Sequence, residues 1–138
     1  MIKGTISLLA FDFGLKHIGV AAGQTRTCTA SPVTTVSAKN GKPEWVHLET
    51  LLKEWQPSLL LVGLPLNMDD SESDMSKRAR KFARRLNARF NLPVEMVDER
   101  LSSFEANYHD VDATKKHAIA AAIIAQTWFS NQQAAATD

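Results

Sequence analysis

Short apolar runs separated by turn residues open the chain, and they have the length and alternation of β-strands. Thr5–Phe13 is strongly apolar and Ile18–Gly23 is made of small and β-branched residues, so the two predict a hairpin across the Gly14–Lys16 turn. Residues 28–37 are rich in Thr and Val and predict a third strand. Pro32 lacks a hydrogen-bond donor, which indicates that this strand lies at a sheet edge or contains a bulge.

Helical periodicity alternates with strands in the rest of the chain. The predicted elements, in order, are a helix over 44–55, a strand over 59–63, a helix over about 72–90, a strand over 93–99, a short helix ending at Tyr108, and a last helix from Thr114 to about Ser130. The final residues, about 131–138, should fray. Three leading strands followed by alternating helices and strands predict one α/β domain over 1–138, with a mixed sheet and helices on both faces.

The composition is that of an ordinary soluble domain, with 44% hydrophobic and 22% charged residues. Cys28 is the single cysteine, which excludes an internal disulfide and any cysteine-based zinc cluster and suits a reducing compartment. No run approaches the roughly 18 apolar residues of a membrane helix, and the start of the chain lacks a signal-peptide pattern. We therefore expect a cytoplasmic protein that does not act at a membrane.

Positive charge is concentrated in the second predicted helix. Residues 77–89 contain seven Lys and Arg residues and no acid, although the net charge of the whole chain is only +1. Such a segregated basic stripe can attract phosphate backbones. Taken alone, a basic helix is more often a solvated face, so this alternative stays open.

Asp12 lies in the most apolar part of the first strand. A buried carboxylate is costly unless it is paired, hydrogen-bonded or bound to a metal, so a partner is expected. The simpler alternative is that Asp12 caps the hairpin turn through nearby backbone amides. Asp98 and Glu99 repeat the pattern at the end of another apolar strand, and carboxylates that converge there would need a divalent cation such as Mg²⁺ or Mn²⁺ between them. A strand-end ion pair with Arg100 is the alternative for this second group.

Four segments share the order and spacing of a known family: FDFGLKHIGVA, VGLPLNMD, DERLSSFEA and KKHAIAAAIIAQTW. Together they resemble the YqgF-type (RuvX-type) proteins, which are described as Holliday junction resolvases or pre-16S ribosomal RNA nucleases of the ribonuclease-H-like fold. The resemblance implies three acidic ligands for Mg²⁺ or Mn²⁺, on the first strand, in the D-E-R motif and at the start of the last helix. On this chain those positions are Asp12, Glu99 and residue 117.

Residue 117 departs from the family pattern, because the usual Asp is His117 here. Imidazole is a poor ligand for Mg²⁺ but an acceptable one for Mn²⁺, so the metal preference would shift. His117 could instead carry a proton, and a place in the first helical turn would disfavour its charged form. A degenerate site that binds without cleaving is a third possibility. His17, where many relatives carry Arg, is interpreted as a surface residue of the hairpin turn.

The resemblance implies metal-assisted hydrolysis of phosphodiester bonds, with two ions clamping the reacting phosphate. Asp12 would bridge the ions, Glu99 would bind one, and His117 would bind or carry a proton. The residues expected to contact nucleic acid are Lys16, Asn67, Arg80, Arg84, Arg85, Arg100, Lys115 and Lys116.

The resemblance implies maturation of the 5′ end of precursor 16S rRNA as the leading function, and the protein is expected to be a monomer or a homodimer. Holliday junction cleavage and nucleic-acid binding by an inactive site are the alternatives. The Asp-x-Gly turn also resembles the phosphate-binding turn of actin-like and sugar-kinase folds, but those enzymes need two lobes and this chain has room for one.

Overall fold

The computed structural model describes residues 7–66, 73–100 and 113–136. The elements, in chain order, are β1 (Ser7–Asp12), β2 (His17–Gln24), β3 (Thr29–Lys39), β4 (Lys42–Pro43), α1 (Trp45–Trp55), β5 (Leu59–Leu66), α2 (Asp74–Phe90), β6 (Val94–Arg100) and α3 (Ala113–Ala136). The short helix predicted to end at Tyr108 and the predicted site residue Asn67 lie outside the described residues.

The strands form one six-stranded sheet in the order β4-β3-β2-β1-β5-β6. β1, β2 and β3 are antiparallel neighbours, whereas β5 runs parallel to β1 and β6 parallel to β5. The predicted mixed sheet is therefore confirmed. The two-residue β4, which pairs with the end of β3, lies between the predicted third strand and the predicted first helix, where no element was predicted.

Pro32 occupies a bulge, as its missing N–H donor indicated. The register between β2 and β3 shifts after Val20, which pairs with Thr34, so that Ala21 pairs with Pro32 and leaves Val33 unmatched. The shift removes the need for a ladder donor at the proline. β4 pairs only with the last two residues of β3, so the rest of β3 is an edge.

Alternation along β1 divides the core into two layers. Leu9 and Phe11 point to the side covered by α1 and α2, and Leu8 and Ala10 point to the side covered by α3. All four are fully buried, which for a Leu or Phe side chain is worth about 1.5–3 kcal/mol. Because successive side chains of a strand alternate, Asp12 continues the row that faces α3.

α2 is fixed to the end of β5 by its first residues. The Ser73 side chain caps the helix by accepting a hydrogen bond from the Ser76 backbone N–H at 3.2 Å, and the Ser76 hydroxyl donates to the Pro65 carbonyl. Ser76 is fully buried, so this hydrogen bond satisfies a hydroxyl that would otherwise be costly. The basic helix therefore starts beside the carboxyl end of a central strand.

α3 packs unusually closely on β2. A Cβ atom added at Gly19 would lie 1.8 Å from the carbonyl oxygen of His117, so only glycine permits this approach. The neighbouring contact is also made of small residues, with Ala21 of β2 against Ala121 and Ala122 of α3. This contact places the start of α3 beside the β1–β2 hairpin.

α3 is longer than predicted. It begins at Ala113, before the predicted cap Thr114, and continues to Ala136, so residues 131–136 are helical where fraying was expected. The extension is rich in Ala and Gln, which have high helix propensity and carry little apolar pattern to reveal the helix. No helix within the described ranges is both long and apolar enough to cross a membrane.

Candidate active site

Asp12 and His117 lie side by side at the rim of the sheet. Asp12 is the last residue of β1 and pairs with Gly19 of β2, against which the His117 carbonyl of α3 packs. Asp12 Oδ2 is 4.0 Å from His117 Nδ1, and the two side chains are 20% and 34% exposed. The structure thus brings together two of the three predicted ligands, in a position that solvent can reach.

His17 joins this pair, which the sequence interpretation missed. It is an exposed residue, as expected, but it is the first residue of β2 and its ring stacks on that of His117, with centroids 5.1 Å apart and planes at 30°. Ile18 points to the α1–α2 side, so alternation turns His17 toward α3. That period-two signal was present in the sequence, although it could not show that α3 lies there.

Burial lowers the pKa of His117 below its ordinary value of 6.5, and the neighbouring His17 and Lys116 lower it further. At neutral pH the ring is therefore uncharged and keeps a lone pair for a metal ion or a proton. The direction agrees with the expectation, but the cause differs, because His117 lies in the second turn of α3, where the helix dipole has weakened. With the folded pKa depressed, the stability that the neutral ring contributes is complete above pH 6.5 and is lost as the pH falls through the folded value.

The backbone of β6 distinguishes Glu99 from Asp98. Glu95 accepts a hydrogen bond of 3.0 Å from Trp128 Nε1 of α3, and Val97 is buried in the same layer. Because strand residues alternate between the two faces, position 99 belongs to the same face as residues 95 and 97, and it pairs with Pro65 of β5. Asp98 is exposed and belongs to the opposite face. The side chain of Glu99 is outside the described part of the structure, so its convergence with Asp12 stays a prediction.

Asp12 and His117 fit a divalent metal ion as two of its ligands. Metal bonds to carboxylate oxygen and imidazole nitrogen are about 2.0–2.2 Å, so donors up to about 4 Å apart can share one ion. Within the described residues no group of three or more His, Cys, Asp or Glu side chains is arranged to hold a metal. A ligand set that contains imidazole suits Mn²⁺ better than Mg²⁺.

The predicted nucleic-acid contacts fall in three places. Lys16, Lys115 and Lys116 are exposed beside the candidate site, in the hairpin turn and at the start of α3. Arg80 is half-buried and Arg84 and Arg85 are exposed along α2, on the other face of the sheet. Arg100 ends β6, and its side chain is not described.

The chain is similar in sequence to known proteins. The family model described as "RuvX: Holliday junction resolvase" matches residues 6–131. A relative from Haemophilus ducreyi, named "Putative pre-16S rRNA nuclease", is 50% identical over 133 residues, covering 91% of this chain and 96% of the relative. A relative of the same name from Saccharophagus degradans is 48% identical over 131 residues, covering 89% and 92%.

Among solved structures, RuvC of T. thermophilus in complex with a Holliday junction substrate is similar in fold. The TM-score is 0.59 at 13% sequence identity, and the match covers 94% of this chain and 96% of that one. The likeness supports the ribonuclease-H-like architecture expected from the sequence.

Proposed function

Because this chain belongs to the RuvX family, we propose that it is a metal-dependent nuclease that hydrolyses phosphodiester bonds in structured nucleic acid, with the 5′ end of precursor 16S rRNA as its substrate. The observation that carries the proposal is the approach of Asp12 Oδ2 to His117 Nδ1 at a solvent-accessible sheet rim. Relatives named as pre-16S rRNA nucleases at about half identity support the choice of substrate.

The roles follow from the chemistry of each side chain. Asp12 supplies a carboxylate oxygen for Mg²⁺ or Mn²⁺, His117 supplies a neutral imidazole, and Glu99 completes the set. The chemistry that a bound divalent ion would supply is stabilisation of charge on phosphoryl oxygens and activation of water as a nucleophile. Lys115 and Lys116, exposed in the turn of α3 that carries His117, orient the phosphate by contacting its oxygens.

Holliday junction cleavage is the second candidate, favoured by the description of the matching family model. The two substrates are distinguished by offering a precursor 16S RNA fragment and a four-way DNA junction to the same protein with Mn²⁺. We expect cleavage of the RNA. Binding without cleavage of either substrate, with both Mg²⁺ and Mn²⁺, would favour the inactive-site alternative instead.

Two adjacent carboxylates in β6 give a test of the proposed site. Glu99→Gln is expected to lower cleavage of precursor 16S RNA by at least about 100-fold, because even residues that only support metal ligands cost 10- to 100-fold when changed. Asp98→Asn, which removes the same charge one residue away, is expected to stay close to wild type. Cleavage rates with Mn²⁺ are compared for both variants. Equal losses would show that the charge of the strand end, rather than a ligand at position 99, is required.

His117 is expected to set the metal preference. His117→Asp replaces imidazole with a carboxylate that Mg²⁺ prefers, so we expect Mg²⁺-dependent cleavage to increase about tenfold and Mg²⁺ to bind more tightly by titration calorimetry. His47→Asp on α1, which lies on the other face of the sheet, is the matched control and should change neither quantity. An unchanged or weaker Mg²⁺ affinity of His117→Asp would contradict a ligand role for residue 117.

A further inference from the structure

A cleft of about 490 Å³ lies on the α2 side of the sheet, across from the candidate active site. Its walls are the N-terminal half of α2 and the turn between β3 and β4, and Phe13 and Phe82 form its apolar floor. We call it the Phe13 cleft. Its five cations are Lys42, Lys77, Arg78, Lys81 and Arg85, and one carboxylate, Asp74, lines it as well.

The cations of the Phe13 cleft are arranged at a cost to the free protein. Lys77, Lys81 and Arg85 are spaced four residues apart along one face of α2, where like charges repel. Lys77 and Arg78 also lie near the helix N-terminus, where positive charge is unfavourable. None of the five forms an ion pair with another described residue. A bound polyanion would relieve both the repulsion and the unfavourable dipole contact.

Arg89 shows what a structural cation looks like on the same helix. Its guanidinium pairs with Glu49 at 2.6 Å and lies 4.6 Å from the centroid of the Trp45 ring. The cations of the Phe13 cleft have neither kind of partner within the described part of the chain. This contrast separates the cleft from an ordinary solvated helix face.

Phe13 gives the cleft a fixed aromatic surface. Its half-buried ring lies on Phe82, with centroids 5.3 Å apart. The turn at Gly41 presses against it, since a Cβ atom there would come within 3.1 Å of the Phe13 ring, and the Gly41 N–H donates to the Leu15 carbonyl at 2.9 Å. These two contacts fix the ring in place, and its half-exposed part gives the cleft an aromatic surface that a base can contact.

Phe13 also follows Asp12 directly, and the two side chains lie on opposite faces of the sheet, because Phe13 packs in the layer of α1 and α2 whereas Asp12 lies beside His117 of α3. A nucleic-acid strand that crosses the carboxyl end of β1 therefore meets the Asp12–His117 pair on one side and the Phe13 cleft on the other. The two sites are neighbours along such a strand, although they lie in different layers.

We propose that the Phe13 cleft binds the single-stranded stretch of nucleic acid that flanks the scissile phosphate, with phosphates on its Lys and Arg side chains and a base on Phe13. Binding of nucleic acid in the cleft stands on the geometry above, and only the statement that this strand is the substrate rests on the proposed function. Cations combined with one aromatic face are the recognition elements typical of single-stranded nucleic acid.

The test compares two variants that remove one Lys and one Arg each. Arg78→Gln with Lys81→Gln changes the cleft, and Arg26→Gln with Lys53→Gln changes exposed residues at the opposite end of the sheet. Binding of a fluorescent single-stranded RNA is measured by anisotropy in EDTA across a range of salt. The plot of log affinity against log salt has a negative slope, and its magnitude should decrease by about 1.4 for the cleft variant, since each phosphate contact contributes about 0.7. Equal slopes in the two variants would overturn the proposal.

A second arm separates nucleic acid from a simple polyphosphate. Phe13→Leu keeps most of the packing on Phe82 but removes the aromatic face, and should weaken RNA binding by roughly tenfold without changing the salt slope. Phe90→Leu, at the far end of α2 against Trp45, is the control and should bind as wild type does. Inorganic tripolyphosphate is also used to displace the RNA from the wild type and from Phe13→Leu. If Phe13→Leu keeps the wild-type RNA affinity and tripolyphosphate displaces the RNA equally well from both proteins, the assignment to nucleic acid is overturned.

Asp12→Asn distinguishes failure here from failure of the proposed function. This variant should bind the RNA in EDTA as tightly as wild type while losing cleavage. If Asp12→Asn still cleaves, the proposed active site is wrong, whatever the cleft variants do. If it loses cleavage but the cleft variants bind normally, only the cleft proposal fails.

Discussion

Gly19→Ala is expected to remove activity and to destabilise the fold by about 3 kcal/mol or more. A methyl group at this position would lie 1.8 Å from the carbonyl oxygen of His117. The added Cβ is fixed by the main chain of β2, and the oxygen that it would meet belongs to the main chain of α3. No side-chain rotation relieves the clash, so α3 must move away from β2. The expected loss in the free energy of unfolding is therefore at or above the upper end of the range for overpacked cores, about 3 kcal/mol. The same movement withdraws His117 from Asp12. Urea denaturation and cleavage of precursor 16S RNA measure the two effects.

Gly23→Ala is the matched control for this experiment, because it adds the same methyl group to the same strand. Its nearest neighbours would be the Thr29 carbonyl oxygen at 3.0 Å and a Leu8 methyl at 3.2 Å, which small shifts can accommodate. We expect a loss of about 1 kcal/mol and nearly normal cleavage. Equal stabilities for the two variants would show that α3 does not depend on Gly19 for its position.

Asp12→Asn is expected to lower cleavage by about a thousandfold, because a neutral amide replaces a carboxylate that is central to the proposed metal site. Asn has nearly the same shape, so the fold should keep its stability to within about 1 kcal/mol. The measurements are cleavage rate and Mn²⁺ affinity by calorimetry, both of which should decrease. Wild-type cleavage by this variant would assign the activity to another site or to a contaminant.

The strands and helices that bury an apolar face were predictable from the sequence, because burial imposes a period on the residues. β1 and β5 are examples, with uninterrupted apolar runs that are covered on both sides. β4 was not predictable, since two residues have no period and the strand depends on the turn at Gly41 packing against the hairpin. The end of α3 was missed because its Ala and Gln residues form a helix without an apolar stripe.

The candidate site was predicted in part. Asp12 was identifiable as a carboxylate in an apolar strand, and its partner at position 117 came from the family resemblance. The stack of His17 on His117 and the Phe13 cleft were missed, because both depend on elements far apart in sequence. The cations of α2 looked like one stripe, but the helix turns some of them toward Phe13 and leaves Arg80 and Arg84 on another side.

The contact of α3 with Gly19 and Ala21 fixes the rotation of the helix about its own axis as well as its distance from the sheet. Each residue of an α-helix advances by about 100°, so inserting one residue between His117 and Ala121 would turn the imidazole roughly a quarter of the way around while the alanines stayed in place. We therefore expect the spacing of these two residues to tolerate no insertion or deletion.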